Sequence, residues 1–159
     1  MKKFLFSTLL LSLAAVSAKA QVSVTAPWVR ATVSAQKSTG AFMHLQSVTA
    51  ARLVGVSTPV ATTVELHKME MNNSVMKMGQ VKWIDLPAGR GVNLASGGYH
   101  IMLTGLKKQL KEGDAVMLTL ELVGPGDKRE RVTVKVPVKP MTFTAPHAAP
   151  HAAPHAVKQ

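Results

Sequence analysis

The sequence predicts an all-β fold, a two-sheet sandwich, and three observations carry that prediction. From Gln21 to about Met141 the chain reads as short runs of β-branched and apolar residues. Gly, Pro, Asn and Asp interrupt these runs at short intervals, as turns between strands do. No long amphipathic helical pattern competes, so a parallel α/β sheet with crossover helices is disfavoured against a sandwich or small barrel.

The segment ahead of the sandwich reads differently. Lys2 and Lys3 open it, an apolar stretch runs from Phe4 to about Val16, and Ala18-Lys19-Ala20 closes it before Gln21. A basic start, a short apolar centre and a small-x-small site make a secretory signal peptide over 1–20, with cleavage expected after Ala20. The apolar stretch is shorter than the roughly 20 residues that span a bilayer. The expected product is therefore periplasmic, without stable membrane insertion. The sequence contains no cysteine, so no lipid anchor on a cysteine is expected, and thiolate metal sites and Cys nucleophiles are excluded. The 139 residues that follow fit one domain, expected to be a monomer, with enough chain to bury a core without disulfides.

Candidate strands then follow in order: Val22–Thr32, Gly40–Ser47, Arg52–Ser57, Thr62–Met69, Val75–Leu86, Gly91–Leu94, Tyr99–Leu103, Asp114–Leu122 and Arg131–Val138. Turn signals stand at Pro87-Ala88-Gly89, Gly97-Gly98, Glu112-Gly113-Asp114 and Gly124-Pro125-Gly126-Asp127. The last of these lies between two alternating flanks, Met117–Leu122 and Val132–Val136, and predicts a hairpin. Val132, Val134 and Val136 give the final strand its core face. The run Ala115 to Leu122 alternates less strictly, which suits an interior strand. Trp28 and Trp83 read as core aromatics rather than as a cation-π lid, and His44, between Met43 and Leu45, reads as structural.

Residues 21–141 form the predicted domain, and 142–159 differ in character. Their Ala-Pro-His-Ala repeat cannot build a core, and an extended or disordered His-rich tail is expected.

The charge is strongly basic, +11 for the whole chain. Without Lys2, Lys3 and Lys19 there remain 16 basic residues against 8 acidic, a net of +8. In an exported protein such a balance points to acidic partner surfaces or anionic lipid headgroups, not to nucleic acid.

Methionine is the informative residue type. Four of the nine cluster as Met69, Met71, Met76 and Met78, just after His67 in Glu65-Leu66-His67-Lys68-Met69. A second His/Met pair stands at His100-Ile101-Met102. Alternate residues of a strand share a face, which puts His100 and Met102 side by side, about 7 Å apart at the backbone. Methionine is a common core filler, and one His-x-Met would carry little weight. Two such groups in a chain with only six histidines carry more. Imidazole and thioether are soft-to-borderline donors, and Cu(I) is the biological metal that accepts thioether readily. Such a site has no thiol to oxidise, and its affinity should fall as pH drops through about 6.5, where imidazoles protonate.

These residues resemble the PCuAC-type periplasmic copper chaperones, whose pattern is His, ten residues, Met, twenty-one residues, His, one residue, Met. His67, Met78, His100 and Met102 fit that spacing. Further similar stretches are Ala26-Pro27-Trp28-Val29-Arg30-Ala31-Thr32, Leu86-Pro87-Ala88-Gly89, Gly97-Gly98-Tyr99-His100-Ile101-Met102-Leu103 and Lys111-Glu112-Gly113-Asp114. The likeness runs from about Val22 to Val138. It implies a cupredoxin-like Greek-key β-sandwich that binds Cu(I) at those four side chains. It also implies delivery toward the CuA centre of cytochrome c oxidase, with its CuA domain or a thioredoxin-like assembly factor as partner. The family often has Met directly after the first His, where Lys68 stands here, and Ser74 and Gly79 replace an expected Gly and Arg. Met69, Met71 and Met76 are then auxiliary.

In the tail, His147, His151 and His155 suit Cu(II) better than Cu(I) and make an accessory metal site, or else a solvated spacer. An enzyme is not expected, since no Ser-His-Asp order, paired carboxylates or three-histidine site stands out in the domain. A blue-copper electron carrier would need a Cys ligand. Copper sequestration for tolerance would use the same four ligands as delivery.

Overall fold

A computed structural model describes residues 21–145, in which strands form where the short apolar runs stand. They are β1 (Val22–Arg30), β2 (Ser38–Ser47), β3 (Ala51–Ser57), β4 (Ala61–Asn72), β5 (Val75–Gln80), β6 (Ile84–Leu86), β7 (Gly91–Leu94), β8 (Tyr99–Leu106), β9 (Ala115–Val123) and β10 (Arg129–Lys139). Among the described residues the only helical element is one short 3-10 turn, Pro125–Asp127. It lies in the predicted β9–β10 hairpin, where Val132 pairs with Leu120 and Val134 with Leu118.

One sheet runs β5-β4-β8-β2-β1, with β7 beside β2 where β8 leaves it. The other runs β10-β9-β3-β6, and a short parallel pairing of β1 with β10, Val29 opposite Val138, joins the two. Their inner faces share one core that includes Leu45, Leu53, Ile84, Ile101, Leu103, Leu118, Leu120 and Val136. Burying a side chain of this size is worth about 1.5–3 kcal/mol, so this core, not the outer faces, holds the fold. β9 alternates more cleanly than its composition suggests: Val116, Leu118, Leu120 and Leu122 are buried while Met117 faces solvent. Val136 is fully buried, and Val132 and Val134 pack against the core from its margin.

Two expectations need correction. Val75–Leu86 is not one strand, because β5 pairs with β4 in the first sheet while β6 pairs with β3 in the second. The chain crosses between sheets at Val81-Lys82-Trp83. That crossing leaves Trp83 44% exposed beneath the Arg52 guanidinium, outside the core.

Trp28 is buried but also lies outside the main core, and the cause is local. Thr25 pairs with His44 while Trp28 pairs with Phe42, so β1 carries one extra residue. Ala26 absorbs it in the left-handed region, at φ 46°. A bulge of one residue reverses which face each later side chain takes. Val22 therefore points into the core before the bulge, Val29 and Ala31 after it, and Trp28 and Arg30 turn outward.

Candidate metal centre

The outer face of the first sheet carries the His and Met residues. β4 and β8 pair antiparallel with His67 opposite His100 and Glu65 opposite Met102. Leu66 and Ile101, adjacent to the histidines, are buried in the core. Alternation therefore sends Glu65, His67, His100 and Met102 to the opposite side. β5 adds Met78, which stands opposite Met69 on β4.

The structure brings three of the four sequence-predicted residues into direct proximity. Met78 Sδ lies 3.2 Å from His100 Nε2, and the two imidazole centroids are 5.7 Å apart, nearly edge to face. Met102 shares their face, two residues beyond His100 on β8. The sulfurs of 78 and 102 are thus on one side of the sheet, and neither is sealed in the core: Met78 is 49% exposed and Met102 partly exposed.

Hydrogen bonding fixes the chemistry of both rings. His100 Nδ1 donates to the Gly98 carbonyl at 3.2 Å, which leaves the Nε2 lone pair facing the Met78 sulfur. His67 Nε2 donates to Glu65 Oε2 at 2.9 Å, which leaves Nδ1 as the unprotonated nitrogen. That Nδ1 is buried and has no hydrogen-bond partner among the described residues. A buried nitrogen lone pair without a donor or ion costs free energy, and a metal ion would satisfy it. Anchoring one ring nitrogen so that the other faces a metal is the usual arrangement of metal-binding histidines. Burial holds the His100 pKa below its ordinary 6.5 despite the opposing Gly98 carbonyl, and nearby His67 lowers it further. The shift favours the neutral imidazole, the form whose Nε2 lone pair can bind a metal.

Glu65 and the Gly98 carbonyl are functional groups that reading for ligands overlooks. The signal for Glu65 was its place two residues before His67, hence on the same strand face. Beside the histidines stands an aromatic wall. Trp28 stacks on Phe42 at 4.4 Å, Phe143 meets Trp28 edge-on at 4.9 Å, and Phe42 lies 6.4 Å from the His100 ring. Arg30 covers Trp28 and Phe42, 5.6 Å from each ring. Phe143 thus packs onto the sandwich from beyond the boundary drawn at Met141. His44 sits on β2 at the edge of a cavity of about 150 Å3 lined also by Trp28, Arg30 and Phe143. His147, His151 and His155 lie outside the described residues.

Among the described residues no group of three or more His, Asp or Glu side chains is arranged to hold a metal ion. Nor is any helix there long and apolar enough to cross a membrane.

Comparison with known proteins gives a consistent placement. Protein Lxx21020 of Leifsonia xyli subsp. xyli (strain CTCB07), which carries a lipoprotein name, is 34% identical over 117 residues, covering 72% of this chain and 69% of that one. The solution structure of CuI-DR1885 from Deinococcus radiodurans is 36% identical, with TM-score 0.56, covering 79% of this chain and 85% of that one. The copper-bound PCuAC domain from PmoF2, at 23% identity and TM-score 0.61, covers 76% and 94% and shares the fold. A family model for LpqE-like lipoproteins matches residues 22–138. The chain therefore belongs to the LpqE-like family and is of the PCuAC type, with its cupredoxin-like β fold.

Proposed function

We propose that this protein is a copper chaperone of the bacterial envelope that carries one Cu(I) between His67, Met78, His100 and Met102 and passes it to a partner. One observation carries the reading: each imidazole spends one nitrogen on a protein acceptor and keeps a lone pair free, and one of these faces a thioether. Two imidazoles and two thioethers are all neutral, so the ion keeps its single positive charge. Soft sulfur donors favour the cuprous state. The 36% identity to DR1885, whose solution structure is of its CuI form, supports the same metal.

Delivery is favoured over sequestration by exposure. Met78 is half open to solvent, so an incoming ligand can attack the metal from the sulfur side. The basic surface suits acidic partners. A CuA domain of cytochrome c oxidase, or a thioredoxin-like assembly factor, is the recipient class. The tail histidines His147, His151 and His155 make an accessory site for Cu(II). The N-terminal 1–20 segment directs export to the periplasm.

The test is competitive Cu(I) titration against a chromophoric chelator, followed by mixing of the loaded protein with an apo CuA domain. His100→Asn with Met102→Leu should abolish tight binding and retain the fold, since both side chains lie outside the core. Unchanged binding by that variant refutes the site, and copper retained in the presence of the apo acceptor refutes delivery. Truncation after Ala145 should lower Cu(II) stoichiometry; no change removes the tail site.

A further inference from the structure

The β4–β5 hairpin runs beyond the end of β8, which pairs with β4 only as far as Lys68 opposite Tyr99. Met69 still donates its N–H to the Gly98 carbonyl at 3.1 Å, but past it β4 has β5 alone as its partner, and every residue of β5 is exposed. The hairpin turns at Asn73 and Ser74, both with positive φ, the two-residue turn whose twist matches the strands.

Its register sorts the side chains. Met69 pairs with Met78 and Met71 with Met76, so four thioethers form two successive rungs on one face. That face is the one His67 occupies, since 67, 69 and 71 alternate along β4. The opposite face is mostly polar: Glu70 pairs with Lys77, and Glu70 also bridges to the Lys68 ammonium at 2.7 Å. No carboxylate or imidazole shares the sulfur face beyond His67.

An exposed strand pair would ordinarily carry Thr, Val or aromatic residues, which suit a pleated surface better than unbranched Met. Here Met71 is 68% exposed and Met76 45%, so neither fills a core. What the rungs share is polarizable sulfur on flexible stems.

Taking the cuprous site of the preceding section as given, we propose that Met71 and Met76 form a second, outer Cu(I) position at the hairpin tip. Copper passes from it over the Met69–Met78 rung to His100 and His67. Directly paired residues stand about 4.5–5.5 Å apart at Cβ, within reach of one ion. Successive rungs are about 7 Å apart, a step that flexible methionines span. Between rungs one Cu–S bond forms as another breaks, and in the last step Cu–N bonds to His100 Nε2 and His67 Nδ1 form as the Met69 sulfur lets go; copper stays monovalent and no proton moves. Met78 belongs to both the ladder and the inner site, so the path has no gap. Two thioethers alone hold the ion weakly, which suits a loading position.

The test uses the full-length protein and Cu(I) supplied as a coloured chelator complex. Met71→Leu with Met76→Leu keeps the apolar surface and removes the sulfur. Equilibrium affinity should stay within about 2-fold, while loading slows about 10-fold once the ion is no longer held at high local concentration near the inner site. In methyl-labelled wild-type protein, the Met71 and Met76 methyl signals should shift beyond the first equivalent of Cu(I). Loading at the wild-type rate by the double variant, or unmoved methyl signals, overturns the outer position. His100→Asn separates this from the underlying reading. Should that variant bind as tightly as wild type, the inner site fails, whereas Met71 and Met76 signals moving with the second equivalent still support the outer pair.

Discussion

Glu65 offers the sharpest test of how the centre is built. Its carboxylate accepts from His67 Nε2 at 2.9 Å, with the imidazole side chain 12% exposed and the carboxylate side chain 34% exposed. Glu65→Gln keeps an acceptor oxygen of the same reach and removes the charge. Charge-assisted hydrogen bonds are about twice as strong as neutral ones, and loss of a partner behind a metal-binding histidine costs about 10–100-fold in affinity. Because a third of the carboxylate is wet, solvent screens part of the effect, so Gln should sit near the tenfold end, about 1.4 kcal/mol. Glu65→Ala removes the acceptor as well, frees Nε2 to take the metal in the wrong orientation, and should approach about 100-fold. Competitive Cu(I) titration reads both values, and nitrogen chemical shifts of His67 read the tautomer directly. Both variants should melt close to wild type, since Glu65 lies outside the core. Wild-type affinity in Glu65→Ala, or a His67 proton found on Nδ1 in the unmutated protein, would refute the reasoning.

Other consequences are checked more simply. Ser74 occupies the left-handed region at φ 63°, where a Cβ costs about 1–2 kcal/mol, so Ser74→Gly should raise the melting temperature; a lower one would contradict the turn. A Cβ on Gly40 would lie 2.7 Å from the tip of the Phe42 ring, which Trp28 holds by stacking, and Gly40→Ala should cost about 1–3 kcal/mol in chemical denaturation; wild-type stability would contradict this packing. His100 is harder to protonate in the fold than in the unfolded chain, because burial disfavours its cation. The stability this contributes to the metal-free protein is present above the ordinary value of 6.5 and is lost as pH falls, until the folded imidazole also protonates. Melting curves across that range should therefore slope less steeply in His100→Gln, and an identical slope would exclude His100 as the cause.

The strands were legible because their signal is local: alternation and turn residues place Val116, Leu118, Leu120 and Leu122 on one face without knowledge of partners. What was not legible depended on pairing. The bulge at Ala26 changes the face of Trp28; Pro27 signals an edge or a bulge in the strand, but which of the two, and where the extra residue sits, is settled only when β2 is seen opposite. The break between β5 and β6 leaves only a faint trace, a shift of the apolar positions from Met76 and Met78 to Val81 and Trp83, and no proline or turn pair marks where the chain changes sheets. At the centre, His100 and Met102 share a face by strand periodicity alone. The meeting of His67 with His100 depends on the β4–β8 register, which residue spacing does not specify and which only the family resemblance anticipated. Glu65 escaped notice because a lone acid between Val64 and Leu66 reads as ordinary outward polarity until its imidazole neighbour is oriented.

The imidazoles and the Met78 thioether of the proposed donor set differ in how firmly they are held, and that difference bears on release. His67 and His100 are mostly buried on adjacent strands over the core, with one nitrogen of each tied to Glu65 or to Gly98. Met78 instead stands on an exposed edge strand that pairs only with β4, in a side chain with three rotatable bonds. An acceptor that replaces an imidazole must disrupt an oriented ring and its hydrogen bond; one that replaces the Met78 thioether displaces a flexible arm and leaves the sandwich unchanged. On the proposed ligand set, exchange would therefore begin on the sulfur side, at the exposed hairpin that carries Met78.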